Sequence, residues 1–280
     1  MLPGDDLYEL LNFVVSREKG VTMSVLFHDV IFGPVQSRRL GVSLGVNLLP
    51  IDRKFCTFNC IYCECGWTHE NIDGQKGLPG RDFVAEKLEE KLKEMASRDH
   101  APDAITFAGN GEPTIHPQFP EIMEDVIRLR DRYFPEARVT VLTNSSTLHK
   151  PAIFNALKKA GNSILKLDAG TEEMFQLINA PQSGITLKSI VEKLKEFNGE
   201  LIIQSLFLRG QVDGREVDNT KEPEFSHWLK LIKEIGPKYV MIYPIDRATP
   251  NNTLEKVSFD ELKEIAGKVE AAGIKAQVFY

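Results

Sequence analysis

The chain has 280 residues, 42% of them hydrophobic and 26% charged, the make-up of an ordinary globular protein with room for a sizeable α/β core. Its 34 basic and 40 acidic residues give a net charge of −6, which argues against broad phosphate-driven nucleic-acid binding and leaves only a local basic patch as a route to RNA or DNA. No apolar run approaches the roughly 20 residues that span a bilayer, and the first residues lack the basic and apolar regions of a signal peptide. Membrane association is therefore not expected, and a cytoplasmic setting with reduced thiols is.

Residues 1–28 read as an N-terminal extension, the first 22 amphipathic, with Met23 as an alternative start. Residues 43–49 form the first strand-like run, and 104–108, 138–143, 163–168, 201–207, 239–243 and 275–279 follow. Between them, apolar residues recur at three- and four-residue spacing: Val84, Leu88, Leu92 and Met95; Ile122, Val126, Leu129 and Tyr133; Leu187, Ile190, Val191, Leu194 and Phe197; Phe225, Trp228, Leu229 and Ile232. Such spacing predicts amphipathic helices. Pro151 suits a first helical turn, Gly161 lies just past the end of that helix, and Ser258 with Glu261 reads as a capping box. Strands alternating with helices imply parallel pairing through right-handed crossovers. The count is about six β/α units, too few for a closed eight-fold barrel. The longest irregular stretch, 66–81, holds Gly66, Gly74, Gly77, Pro79 and Gly80, and no Ser-, Gly- or Pro-rich linker divides the chain. One domain over 1–280 is expected, with a core at 30–250 and a C-terminal helix and strand at 251–280.

All four cysteines fall within ten residues, Cys56, Cys60, Cys63 and Cys65. Intervals of three and then two residues put three soft thiolates on one tight loop, where they can hold a thiophilic centre. Zinc sites and four-cysteine clusters usually draw ligands from two separated pairs. Cys65 follows Cys63 too closely to reach easily around a cubane and reads as a bystander. The simplest reading is a [4Fe–4S] cluster with three protein ligands and one open iron. The plain alternative is a zinc knob in a non-catalytic binding module.

The stretch Cys56-x3-Cys60-x-Tyr62-Cys63 resembles the signature of the radical S-adenosylmethionine (SAM) superfamily. Gly109-Asn110-Gly111-Glu112 resembles that family's glycine–glutamate motif, and 33–48, with Ser37-Arg38-Arg39, resembles the branch of the tRNA wyosine-synthesis enzymes. The resemblance implies a partial (β/α)6 barrel as a single radical SAM core domain. It implies a cluster on Cys56, Cys60 and Cys63 whose open iron chelates SAM, reductive cleavage to a 5′-deoxyadenosyl radical, and hydrogen abstraction from a substrate. No cysteines remain for the second cluster of the wyosine enzymes, and no flavodoxin-like domain is present, so a separate one-electron donor of flavodoxin or ferredoxin type is expected.

In a parallel barrel the site forms at the C-terminal strand ends, where Gly109, Asn110, Gly111, Glu112, Asn144 and Asp168 fall and where Gln204 and Ser205 lie on a strand. These residues and Tyr62 are expected around SAM, with Glu112 facing its ammonium. Polar strand ends are as often simple turns or caps. Arg38, Arg39 and Arg247 suit anchoring of a phosphate or carboxylate on the substrate, or are a solvated surface set. The substrate stays open among a modified nucleoside or tRNA, a peptide and a small metabolite, and no catalytic side chain is singled out. The six histidines are dispersed and read as structural or surface groups.

Overall fold

The structure, a computed structural model, describes residues 25–68, 76–182 and 184–280. The expected 1–22 extension and the middle of the 66–81 loop lie outside those residues. β1 (Ile31–Ser37) and β2 (Gly41–Val46) form an antiparallel hairpin. β3 (Ala104–Phe107), β4 (Arg138–Thr143), β5 (Asn162–Lys166) and β6 (Ile202–Val212) follow, then β7 (Arg215–Asp218), β8 (Tyr239–Pro244), β9 (Glu255–Lys256) and β10 (Ala276–Val278). The helices are α1 (Arg81–Ser97), α2 (Phe119–Tyr133), α3 (Pro151–Lys159), α4 (Glu172–Asn179), α5 (Leu187–Lys195), α6 (Glu224–Ile235) and α7 (Phe259–Ala271).

The sheet order is β1-β2-β3-β4-β5-β6-β8-β10, and every pairing from β2 to β10 is parallel. Among the described residues β1 and β10 do not pair, so the barrel stays open at that seam, as the count of β/α units predicts. The strands run almost wholly buried, Ala104–Phe107 throughout, because helices cover one face and the other lines the interior. Val84, Leu88, Leu92 and Met95 of α1 and Phe225, Trp228 and Ile232 of α6 are buried in the main core, on the stripes that the spacing marks. Each fully buried apolar side chain contributes about 2 kcal/mol. Pro151 opens α3, and the reciprocal Ser258–Glu261 box opens α7.

Three elements differ from the sequence reading. β1 contains Gly33-Pro34, which reads as a breaker; on an edge strand with a register shift between Phe32 and Val35, a residue without an N–H is tolerated. β6 runs five residues past 207 because its projecting end pairs antiparallel with β7 and β9. α4 is a short helix with little room for periodicity, capped by Thr171, and its last residue reaches the site.

Candidate metal and cofactor site

The cysteine loop leaves β2 and is held from two sides. On one side Phe55 bridges Gly111: its N–H donates to the Asn110 carbonyl at 2.8 Å, and the Glu112 N–H donates back to the Phe55 carbonyl at 3.2 Å. On the other side Asn59 and Ile61 donate to the carbonyls of Ala180 and Ile178, both at 3.0 Å, at the end of α4. Gly111 has φ +141°, and a Cβ there would sit 2.0 Å from the Phe55 carbonyl oxygen. Its glycine is therefore demanded by the cysteine loop itself, not only by a ligand.

Cys56, Cys60 and Cys63 line one cavity of about 360 Å³, together with Tyr62, Gly109, Gly111, Glu112, Asn144, Gln204, Arg38, Arg39 and Arg247. Among the described residues no three or more His, Cys, Asp or Glu side chains close on a single point that would hold one metal ion. Amide donors support two of the sulfurs: Asn144 Nδ2 reaches Cys56 Sγ at 3.5 Å, and Asn179 Nδ2 reaches Cys60 Sγ at 3.5 Å. The Phe58 N–H also donates to Cys56 Sγ at 3.4 Å. Burial pushes the Cys56 thiol up to about 12 and raises that of Cys60. The hydrogen bond from Cys65 brings Cys63 down to about 6. Cys65 lines the same cavity, and its Sγ reaches the Gly109 carbonyl at 3.7 Å.

Glu112 is 2% exposed, and its carboxylate ties the motif to the next strand. Oε1 accepts from the Thr114 N–H at 3.1 Å and from the Thr143 hydroxyl at 2.7 Å, and Oε2 from the Asn144 N–H at 2.6 Å. Burial raises the affinity of this carboxyl for its proton, against the pull of those donors. Oε2 accepts a single bond here, so it keeps a lone pair for a cation in the cavity.

Three expected contacts go elsewhere. The Asn110 side chain donates to the carbonyls of Phe27 at 2.9 Å and Pro50 at 2.8 Å and faces away from the cavity. Ser205 sits one residue from Gln204, hence on the opposite face, where its hydroxyl contacts the Leu167 carbonyl and accepts from Trp228 Nε1 at 3.2 Å. Asp168 is 2% exposed behind Tyr62, accepting from the Tyr62 hydroxyl, from Asn179 Nδ2 at 2.9 Å and from the Leu206 N–H at 2.9 Å. These three position the site and do not line it. The arginines line the mouth but are engaged: Arg38 bonds Asp246 at 2.6 Å, Arg247 bonds Glu64 at 2.7 Å, and Arg39 lies 5.0 Å over the Tyr243 ring.

Sequence reasoning missed Lys54, Asn179, and the pairing of Lys166 with Tyr243. Lys166 Nζ donates to the Tyr243 hydroxyl at 2.6 Å, lies 3.7 Å from Asp168 and sits 5.0 Å over the Tyr62 ring. Burial works to lower its pKa, but Asp168, Tyr243 and Cys60 raise it on balance. Lys54 is 2% exposed; burial likewise opposes its charge, and the four cysteines outweigh burial. Only its position two residues before Cys56 hinted at a role.

The profile of the Radical SAM superfamily matches residues 53–222, more than half of the chain. The chain is 31% identical over 254 residues to a protein of Brachyspira hyodysenteriae named GTPase Obg, covering 89% of this chain and 35% of that one. UPF0026 proteins of Methanocaldococcus jannaschii and Synechocystis are 30% and 33% identical, covering 74% and 72% of this chain and 61% and 71% of theirs. This chain thus spans about a third of the Brachyspira protein and under two thirds of the M. jannaschii one. A radical SAM methyltransferase structure from Sphaerobacter thermophilus superposes with TM-score 0.64 at 15% identity, over 95% of this chain and 75% of that one. Archaeal TYW1 superposes with TM-score 0.50 at 12% identity, over 82% and 71%. At those identities the likeness is one of fold. Among the described residues no helix is long and apolar enough to cross a membrane.

Proposed function

The chain belongs to the radical SAM superfamily of enzymes, and we propose that it acts through a [4Fe–4S] cluster held by Cys56, Cys60 and Cys63. When bound, the cluster and SAM supply reductive cleavage to methionine and a 5′-deoxyadenosyl radical that takes a hydrogen atom from the substrate. The observation that carries the reading is the set of three thiols lining one cavity with the buried Glu112 carboxylate. Two of the sulfurs are hydrogen-bonded by side-chain amides, and Asn144 is bonded to both Cys56 and Glu112. Glu112 offers Oε2 to the SAM ammonium, while Gly109 and Gly111 let the motif pack closely on Asn47 and Phe55. Tyr62, Asn144 and Gln204 line the remaining wall. Asn110, Asp168 and Ser205 hold that wall in place through the contacts described above. A one-electron donor of flavodoxin or ferredoxin type supplies the electron for the reductive cleavage.

Arg38, Arg39 and Arg247 ring the mouth and favour a substrate bearing carboxylate or phosphate, from a modified nucleoside, a peptide or a small metabolite. Arg39 is the best placed of the three, because Arg38 and Arg247 hold Asp246 and Glu64. Anaerobically reconstituted protein, reduced by dithionite and given SAM, should form 5′-deoxyadenosine and methionine in equal amounts. A colourless protein carrying one zinc per chain and leaving SAM intact would instead assign the cysteines to a structural knob. Once a substrate is found, Arg39→Lys should lower substrate-dependent turnover several-fold and leave uncoupled SAM cleavage intact. Equal loss of both activities would move Arg39 out of the substrate's reach.

A further inference from the structure

Lys54 is 2% exposed, and of its three N–H donors one has a protein oxygen, the Gly66 carbonyl at 3.0 Å. Among the described residues no carboxylate pairs with it. The other buried lysine of the cavity, Lys166, has Asp168 at 3.7 Å, so its charge is largely answered where it stands. Lys54 faces sulfur: it lines the same cavity as Cys56, Cys60, Cys63 and Cys65. A buried ammonium without a counter-ion is strongly unfavourable, so a lysine kept in this position implies negative charge beside it.

The proposed centre supplies that charge, and the inference rests on that reading of Cys56, Cys60 and Cys63. Three thiolates around a cluster form an anionic group in a poorly solvated cavity, and one-electron reduction adds a further negative charge. A fixed cation at the sulfurs stabilises the reduced form more than the oxidised one, because the interaction scales with the charge it meets. We propose that Lys54 is the electrostatic counter-ion of the cysteine-held centre, a positioning residue that makes its one-electron reduction more favourable. The plainer role is mechanical: bonding Gly66 closes the 54–66 loop whatever charge the tether carries.

The test compares Lys54→Arg, Lys54→Gln and Lys54→Met with the parent. Each is reconstituted anaerobically with iron and sulfide, without SAM, and titrated with dithionite at fixed pH while the reduced cluster is followed by electron paramagnetic resonance. The neutral variants should show at least a tenfold less favourable reduction equilibrium, a midpoint about 59 mV more negative for one electron. Arg should stay within threefold of the parent. Parent-like midpoints in Gln and Met overturn the proposal. So does a tenfold fall in all three, since that follows shape and not charge. If the neutral variants assemble no cluster, retention in Arg supports the counter-ion role, and loss in Arg as well overturns it in favour of the mechanical one. A parent that assembles no cluster removes the cysteine reading and takes this inference with it, a result separate from any change among the Lys54 variants.

Discussion

At the N-terminal end of the parallel strands Leu40, Ala104, Ile164, Ile202 and Met241 form an apolar layer, of which Leu40, Ile164 and Met241 border a second cavity of about 800 Å³. Two residues further along the same strands, on the same face, stand Lys166, Gln204 and Tyr243, all lining the cysteine cavity. The step from Ile164 to Lys166, from Ile202 to Gln204 and from Met241 to Tyr243 turns an apolar layer into a polar site within about 7 Å. The apolar layer needs only shape and apolar area. The site needs each buried charge answered, and the sheet answers them across strands: Lys166 with Asp168 and Tyr243, and Glu112 with Thr143 and Asn144. Stability and chemistry are thus separated along one set of strands, as this architecture generally allows.

The separation can be broken most severely at the sulfurs. Cys56→Ser, Cys60→Ser or Cys63→Ser should each leave reconstituted protein without its cluster, read as iron and sulfide content, whereas Cys65→Ala should keep both. Iron retained in one of the first three and lost in Cys65→Ala would redraw the ligand set. At Glu112 the two functions meet. Glu112→Ala strands several buried donors and should cost about 4 kcal/mol in urea unfolding, besides weakening SAM binding. Glu112→Gln keeps an acceptor, so it should cost less stability while still weakening SAM binding. A fully stable Glu112→Ala protein would mean that the carboxylate does not tie the loops together. In the apolar layer, Met241→Ala should cost about 3 kcal/mol yet leave iron content and SAM cleavage per folded molecule unchanged. A loss of cleavage there would show the two ends to be coupled.

The mildest prediction lies outside the interior. Hydrogen bonds from Ser258 and Arg209 bring the Glu261 carboxyl from an ordinary 4.5 down to about 2. Because the folded value lies below the ordinary one, its stabilisation is present above about pH 4.5 and is lost as pH falls towards 2. Glu261→Gln should therefore cost about 1 kcal/mol at pH 7 and progressively less on acidification through that window. A pH-independent difference would show that the lost packing matters and the charge does not.

What the sequence made legible was what is local. The ten-residue cysteine loop, the Gly109–Glu112 turn, the α1 and α6 stripes and the α7 capping box each depend on neighbours in the chain, and each stands where its spacing put it. The pairings that finish the site are not local. Tyr62 meets Asp168 across 106 residues, Asn179 meets Cys60 across 119, and Glu64 meets Arg247 across 183. Periodicity places a residue on a strand but does not reveal which distant partner it will face. Ser205 illustrates the limit: a strand-end polar residue read as a ligand contact points to Trp228 because it is one step out of phase with Gln204. Lys54 illustrates the converse, a charge that no motif marks and that the fold buries.

The most direct test of the central claim is the electron paramagnetic resonance spectrum of the anaerobically reconstituted, dithionite-reduced protein before and after SAM is added. An iron left open by three cysteines should bind SAM and change the g-values and line shape of the reduced cluster, and the change should be lost or weakened in Glu112→Gln. A reduced-cluster spectrum identical with and without saturating SAM would contradict the account.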